Sequence, residues 1–282
     1  MTPLATRVAT AAVLVPCVIA ALFLLPARGW AVATLGVLLV AAHEWAGLAG
    51  FAGARRLMFV AVVFAVGAAL LYAAWPGLAD GWPGGILVAV CGVATLFWLA
   101  VALPWTIRRW ATRSPAVLAL SGLVVLAGAW VALVELQSRS PWLVLAAMAI
   151  VWVADTAAYF AGRAFGRRKL APLVSPGKTW EGVWGGLAAV AVYAVALVPL
   201  ARSAGYGGPV GPAAIVAWTA IAVALAMLSV VGDLFESWQK RVAGVKDSGS
   251  LLPGHGGVLD RIDALVAAMP PAALAAYWFL GG

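Results

Sequence analysis

The most constraining feature of this sequence is a series of nine apolar runs, near residues 8–25, 30–50, 57–75, 85–103, 116–136, 142–162, 182–200, 212–231 and 262–280. Each is close to the ~20 residues that a helix needs to cross a bilayer. Of the 282 residues, 65% are hydrophobic and 10% charged, where a soluble domain carries about 25% charged residues. Too little polar surface remains to cover a water-soluble globule of this length, so lipid must face the apolar excess. The runs therefore predict an all-α polytopic integral membrane protein with about nine transmembrane helices. Arg7 is the single basic residue ahead of the first run, no small-residue cleavage site comes after it, and further runs lie behind. That run is read as a retained helix rather than a secretory signal. Cys17 and Cys91 both sit inside apolar runs, with neither paired spacing nor a histidine cluster, which predicts helix packing and no disulfide or zinc site.

Charge placement orients the runs. Fifteen of the 18 Lys and Arg residues fall on one side of a nine-span alternation: Arg7; Arg55 and Arg56; Arg108, Arg109 and Arg113; Arg163, Arg167, Arg168, Lys169 and Lys178; Lys240, Arg241, Lys246 and Arg261. Only Arg28, Arg139 and Arg202 fall on the other. By the positive-inside rule the amino terminus is expected in the cytoplasm and the carboxyl terminus, Gly281 and Gly282, outside. The net charge of +8 suits an anionic membrane surface or an anionic substrate. Loops are short and chemically plain up to about residue 140, and beyond it come two long polar loops, at 163–181 and 232–261. Two regions are expected: residues 1–140 as amino-terminal transmembrane helices, and residues 141–282 as a catalytic transmembrane region.

An ionisable residue at a helix centre costs roughly 2.5–3.5 kcal/mol on insertion scales, so each one asks for a reason. Glu44, Asp155 and Asp233 fall toward the cytoplasmic ends of the second, sixth and eighth runs, and Asp260 and Asp263 open the ninth. Such convergence would build a cation site or a polar active-site cavity, although some of these groups could instead pair with nearby arginines. For Glu44 both readings stand.

The stretch GDLFESWQKRVAGVK, residues 232–246, would as a helix put Asp233, Glu236, Ser237 and Lys240 on one face. Taken alone, that pattern fits an exposed helix with i,i+4 ion pairs at least as well as a site. The residues after it favour a site. Pro253, Gly254, His255, Gly256 and Gly257 form a non-helical turn whose glycines suit close approach of phosphate oxygens. Asp260, Arg261 and Asp263 come next, and carboxylates with cations at a glycine-rich turn suit a divalent metal bound to a polyphosphate. His255 could serve as general base, metal ligand or hydrogen-bond donor to phosphate, and the donor role ranks first. In the other loop, SPGKTWEG (175–182) contains a tempting GKT, but the first glycine of a P-loop would have to stand where Pro172 is. Lys178 is kept as a phosphate contact and the P-loop fold is dropped.

At these residues the chain resembles the phosphatidate cytidylyltransferase family, also called CDP-diacylglycerol synthase. The family signature is present as Ser237, Lys240, Arg241, Lys246, Asp247, the turn Pro253–Gly257, and Asp260, Arg261 and Asp263. The likeness extends upstream through GDLFES, SPGKTWEG and ADTAAYFAGRAFGRRKLAP, with HEWAGLAG at 43–50 the one similar stretch before that. The resemblance implies a homodimeric membrane enzyme that transfers cytidylyl from CTP to phosphatidate in the bilayer and releases pyrophosphate. It implies Mg²⁺ on Asp233 and Asp260, with room for a second ion. Asp233, Asp260, Lys240, Arg261, His255 and Ser237 are then the expected catalytic residues. Lys178, Arg241, Lys246, Gly254, Gly256, Gly257, Asp263 and Asp155 are the expected substrate contacts. The expected location is a bacterial inner membrane with the active site facing the cytoplasm, and nucleic acid is not an expected partner. Two other classes fit less well: a polyprenol or isoprenoid-alcohol kinase, which shares the substrate logic, and a transporter, which would place its carboxylates nearer the bilayer midplane.

Overall fold

The computed structural model describes residues 3–203 and 211–280, so the terminal Gly281 and Gly282 lie outside the described residues. Among the described residues, eight helices are long and apolar enough to cross a membrane. They are α1 (Pro3–Leu24), α2 (Ala27–Leu48), α3 (Gly53–Ala74), a composite fourth, α6 (Pro115–Arg139), α7 (Pro141–Phe165), α8 (Trp180–Ser203) and α9 (Pro212–Ala243). The fourth joins α4 (Gly84–Phe97) to α5 (Leu103–Arg108) through a π-helical turn at Trp98–Ala102. Proline opens α6, α7 and α9, where its missing N–H costs nothing and its fixed φ already suits the helix.

Three features depart from the sequence expectation. The ninth apolar run forms two pieces, α10 (Leu259–Ile262) and α11 (Leu265–Leu280), because the chain turns at Asp263 and Ala264. The 16 residues of α11 span ~24 Å at 1.5 Å per residue, short of the ~30 Å hydrocarbon core. The 163–181 loop contains a small antiparallel sheet, β1 (Lys169–Ala171) with β2 (Ser175–Thr179), so the molecule is not purely helical. Pairing Lys169 with Thr179 and Ala171 with Ser175 satisfies backbone groups that a polar excursion would otherwise leave open. Lys178 therefore sits within a strand rather than in a strand-to-helix turn, and the P-loop stays excluded. Finally, α9 continues past its apolar run to Ala243, so the predicted 232–261 loop begins only at Gly244. That glycine adopts φ 74° and ends the helix by donating its N–H to the Arg241 and Lys240 carbonyls.

Among helices in lipid, burial of apolar surface gives little drive to associate, so close packing and interhelical hydrogen bonds must do it. Tryptophan supplies many of these bonds here. The indole N–H of Trp45 donates to Leu118 O at 2.8 Å, that of Trp82 to Val131 O at 3.0 Å, and that of Trp130 to Ala31 O at 3.1 Å. All three bonds join α6 or its neighbours, and α6 is the most enclosed of the long helices. Near the site, Gly232 lets α9 approach the Asp263 carbonyl so closely that a methyl group there would clash. That contact brings the acidic end of α9 against the start of α10 and α11.

Candidate active site

The predicted residues gather at one end of the bundle, where α1, α8 and α10 begin and α2, α7 and α9 end. The last three turns of α9 carry Asp233, Glu236, Ser237 and Lys240 along one face. Lys240 Nζ lies 2.7 Å from Asp260 Oδ1 and 2.5 Å from Glu236 Oε2. Lys178 Nζ, from β2, lies 2.6 Å from Asp233 Oδ2. Ser237 donates its hydroxyl to Asp233 Oδ1 at 3.2 Å, fixing that carboxylate from one turn away. Asp155 of α7 lies within electrostatic reach of Lys178 and Asp233, and Asp263 within reach of Asp233, Glu236 and Lys240. The carboxylates are thus interleaved with two lysines in a continuous network. Arg241 points the other way and donates to Val174 O at 3.4 Å, tying the hairpin to α9.

The segment between α9 and α10 folds over this network. Leu252 and Gly256 pair across the Pro253–Gly254–His255 turn, and Gly254 and Gly256 take φ of 75° and 82°. Only glycine adopts such angles without strain. His255 donates its backbone N–H to Leu252 O, and its Nδ1 is buried with no hydrogen-bond partner among the described residues. The Gly257 N–H turns inward to Asp260 Oδ2 at 2.8 Å, and the Ser248 N–H reaches the same oxygen at 2.9 Å. Burial works against the charge of Asp260, but the Lys240 ammonium and these two N–H groups outweigh it and hold the carboxyl below the usual carboxylate range.

Beside the turn opens a cleft of about 660 Å³, whose lining includes Lys246, Asp247, Gly254, His255, Gly256 and Arg261, together with Arg7 from α1. Three cations face one carboxylate there, which suits a polyanion. The cleft and the ion network are contiguous, since a methyl group on Gly256 would stand 2.8 Å from Asp260 Oδ2. Lys246, Gly254, His255, Gly256 and Arg261 of the predicted set therefore line the cleft. Asp155, Lys178, Asp233, Ser237, Lys240, Asp260 and Asp263 belong to the adjoining network.

Arg7 was used in the sequence only to orient the chain. It donates Nε to Gly254 O at 3.0 Å, while Thr10 donates its hydroxyl to Pro253 O at 2.9 Å. Glu44 pairs with no arginine among the described residues. It accepts hydrogen bonds from the backbone N–H groups of Val258 and Leu259.

No three His, Cys, Asp or Glu residues form a ready-made metal cage among the described residues. The donor chemistry nevertheless fits a hard divalent ion. Every candidate ligand is an oxygen, the carboxylates outnumber the lysines set among them, and Glu236 Oε1 is buried without a hydrogen-bond partner among the described residues. Mg²⁺ takes few protein carboxylates and completes its shell with water and substrate phosphates, so no full cage is required.

Comparison with known proteins agrees with this chemistry. The model of the cytidylyltransferase family matches residues 5–279. A phosphatidate cytidylyltransferase from Pseudomonas aeruginosa is 41% identical over 271 residues, 94% of this chain and 93% of that protein. One from Haemophilus influenzae is 53% identical over 129 residues, 46% of this chain and 43% of that protein. One from Staphylococcus epidermidis is 41% identical over 136 residues, 48% of this chain and 49% of that protein. Because the family match and the Pseudomonas likeness both run nearly end to end, taking in the first helix as well as the signature turn, the chain belongs to the cytidylyltransferase family.

Proposed function

We propose that this integral membrane enzyme transfers cytidylyl from CTP to phosphatidate, forming CDP-diacylglycerol and pyrophosphate for phospholipid synthesis. The observation that carries the reading is the continuity of the cationic cleft at the glycine turn with the carboxylate–lysine network at the end of α9. In the reaction a phosphatidate oxygen bonds to the α-phosphorus of CTP, the bond from that phosphorus to the bridging β-phosphate oxygen breaks, and pyrophosphate leaves. Lys246 and Arg261, with Arg7, hold the triphosphate in the cleft, and His255 donates a hydrogen bond to it. Gly254 and Gly256 let phosphate oxygens approach the backbone. Lys178 and Lys240 sit between the carboxylates and offset their mutual repulsion, Ser237 aims Asp233, and Arg241 secures the hairpin that carries Lys178. Asp155 and Asp263 set the local charge, and Gly257 holds Asp260 in place. When bound, Mg²⁺ on Asp233 and Asp260 neutralises charge on the triphosphate, and a second ion would do the same.

The positive-inside asymmetry supports a cytoplasmic site. We accordingly place the amino terminus in the cytoplasm, count α11 as a ninth crossing with α10 at the interface, and put the carboxyl terminus outside, in a bacterial inner membrane. That position gives a soluble nucleotide and a bilayer-bound lipid access to one site. The protein acts as a homodimer on this reading, with residues 1–140 as framework and 141–282 as the catalytic region. Purified enzyme supplied with phosphatidate or a lipid alcohol, and with each nucleoside triphosphate in turn, tests the function. Product formed only from CTP and phosphatidate is expected. Phosphorylation of the alcohol would replace this reading with a kinase.

A further inference from the structure

We infer that Glu44 is a positioning residue for cytidylyl transfer, acting through Ser248 and the Gly257–Leu259 backbone to hold Asp260 in place. The inference rests on the function proposed above. Glu44 lies in the last turns of α2 and is 4% exposed. A carboxylate so enclosed needs hydrogen-bonded compensation. An arginine does not provide it: Arg56 donates its Nε to the His43 carbonyl instead. The compensation comes from more than 200 residues away. Oε1 accepts the Val258 N–H at 3.0 Å, and Oε2 accepts the Leu259 N–H at 2.7 Å and the Ser248 hydroxyl at 3.3 Å.

These donors alternate with those of Asp260. Ser248 gives its hydroxyl to Glu44 and its N–H to Asp260, and the consecutive N–H groups of 257, 258 and 259 go to Asp260, Glu44 and Glu44. One polar clamp thus fixes both the exit of the glycine turn and the carboxylate just beyond it. Hydrogen bonds to an ionised acceptor are about twice as strong as neutral ones, so the charge of Glu44 matters as well as its shape. The flanking glycines fit the same account. A methyl group on Gly249 would stand 2.5 Å from Glu44 Oε1, and one on Gly257 would stand 2.6 Å from Oε2. The segment closes on the carboxylate from both sides, and any side chain at either position would push it away.

The test uses full-length enzyme in detergent, with rates normalised to folded protein. Glu44→Gln keeps the shape but turns one acceptor oxygen into an NH₂ that faces a backbone donor. Amide exchange in the peptide spanning 246–262 should accelerate, and kcat should fall on the order of 10²-fold, the scale of a 1 Å misplacement. KM for CTP should rise by less than kcat falls, because all three cleft cations are still present in the variant. Glu44→Asp keeps both oxygens and should retain more turnover than Glu44→Gln, and it should also soften the loss caused by Gly249→Ala. Wild-type kcat in folded Glu44→Gln, or unchanged exchange at 246–262, would overturn the inference. Failure of the wild-type enzyme to make CDP-diacylglycerol would overturn the proposed function instead, and the exchange measurement would still decide whether Glu44 holds this segment.

Discussion

Lys240 Nζ stands 2.7 Å from Asp260 Oδ1 and is shared with Glu236, so one ammonium ties the end of α9 to the start of α10 between two buried carboxylates. Removing one member of a buried pair leaves an uncompensated charge, typically at a cost of roughly 3–5 kcal/mol. Lys240→Met strands two carboxylates, whereas Asp260→Asn leaves Lys240 paired with Glu236. The lysine variant should therefore show the larger drop in melting temperature in detergent. Acid adds a second readout. The carboxyl of Asp260 is held below its unfolded value, so its contribution to stability is complete above about pH 4 and is lost as pH falls through the lowered value. Wild-type protein should lose melting temperature below pH ~4 more steeply than Asp260→Asn. Equal slopes would show that Asp260 carries no such linkage.

On the proposed metal assignment, Asp233→Asn and Asp260→Asn should each abolish turnover while the protein remains in the membrane, because the amide keeps the shape and loses the charge that would hold Mg²⁺. Asp247→Asn should do less, since Asp247 lines the cleft and lies outside the ion network. Titrating Mg²⁺ against activity for all three checks this. Near-normal turnover of Asp260→Asn at ordinary Mg²⁺ would remove Asp260 from the metal.

How much the sequence could reveal depended on the range of the interactions. Eight of the nine apolar runs fall on the long helices, and the α9 face with Asp233, Ser237 and Lys240 was visible because helical periodicity is local. The cluster from Ser237 to Asp263 could be read because it falls within 27 residues. The Arg7 bond to the Gly254 carbonyl spans 247 residues, and the Glu44 bond to Leu259 spans 215. No pattern near either residue encodes such a partner, which only helix packing supplies. The β1–β2 hairpin escaped notice because strands of three and five residues are too short to show an alternating pattern. The break at Asp263 was hidden inside an apolar run that reads as uninterrupted.

Arg7 brings a cation into the cleft from the far end of the chain, and it also tethers α1, of whose described residues only Leu22 is buried. Arg7→Gln should raise KM for CTP roughly five- to tenfold, in line with loss of one charge-assisted contact, and change kcat less. Kinetics over a range of CTP at saturating phosphatidate would show this split. A fall in kcat alone would mean that Arg7 acts only as a tether.

The orientation can be tested with single cysteines in a background lacking Cys17. Ala79 and Ser203 are exposed at the end of the bundle opposite the cleft, and Ser250 is exposed at the cleft. Ser248, though in the same segment, is buried under Glu44 and Asp260 and would report poorly. An impermeant thiol reagent added to sealed cells should label Ala79→Cys and Ser203→Cys and spare Ser250→Cys. The reverse pattern would invert the topology.

The last prediction concerns the attacking oxygen. An alcohol attacking phosphorus needs a base, but a phosphate monoester has a second pKa of about 6 and is largely dianionic at neutral pH. The nucleophile arrives deprotonated, and the barrier lies in bringing an anion up to a triphosphate. The structure gathers cations where the triphosphate would lie: Arg7, Lys246 and Arg261 line the cleft, and the Ser237 hydroxyl donates to Asp233, the carboxylate assigned to the metal. His255→Gln, which keeps a donor, should therefore retain more activity than His255→Ala, and Arg261→Ala should be severe. Direct transfer also requires that Ser237 form no covalent cytidylyl intermediate. With phosphatidate and CDP-diacylglycerol rigorously absent, labelled pyrophosphate should not exchange into CTP, because no step of a direct transfer can run in reverse without the lipid. Robust exchange that disappears in Ser237→Ala would establish a covalent intermediate and replace direct transfer with a two-step mechanism.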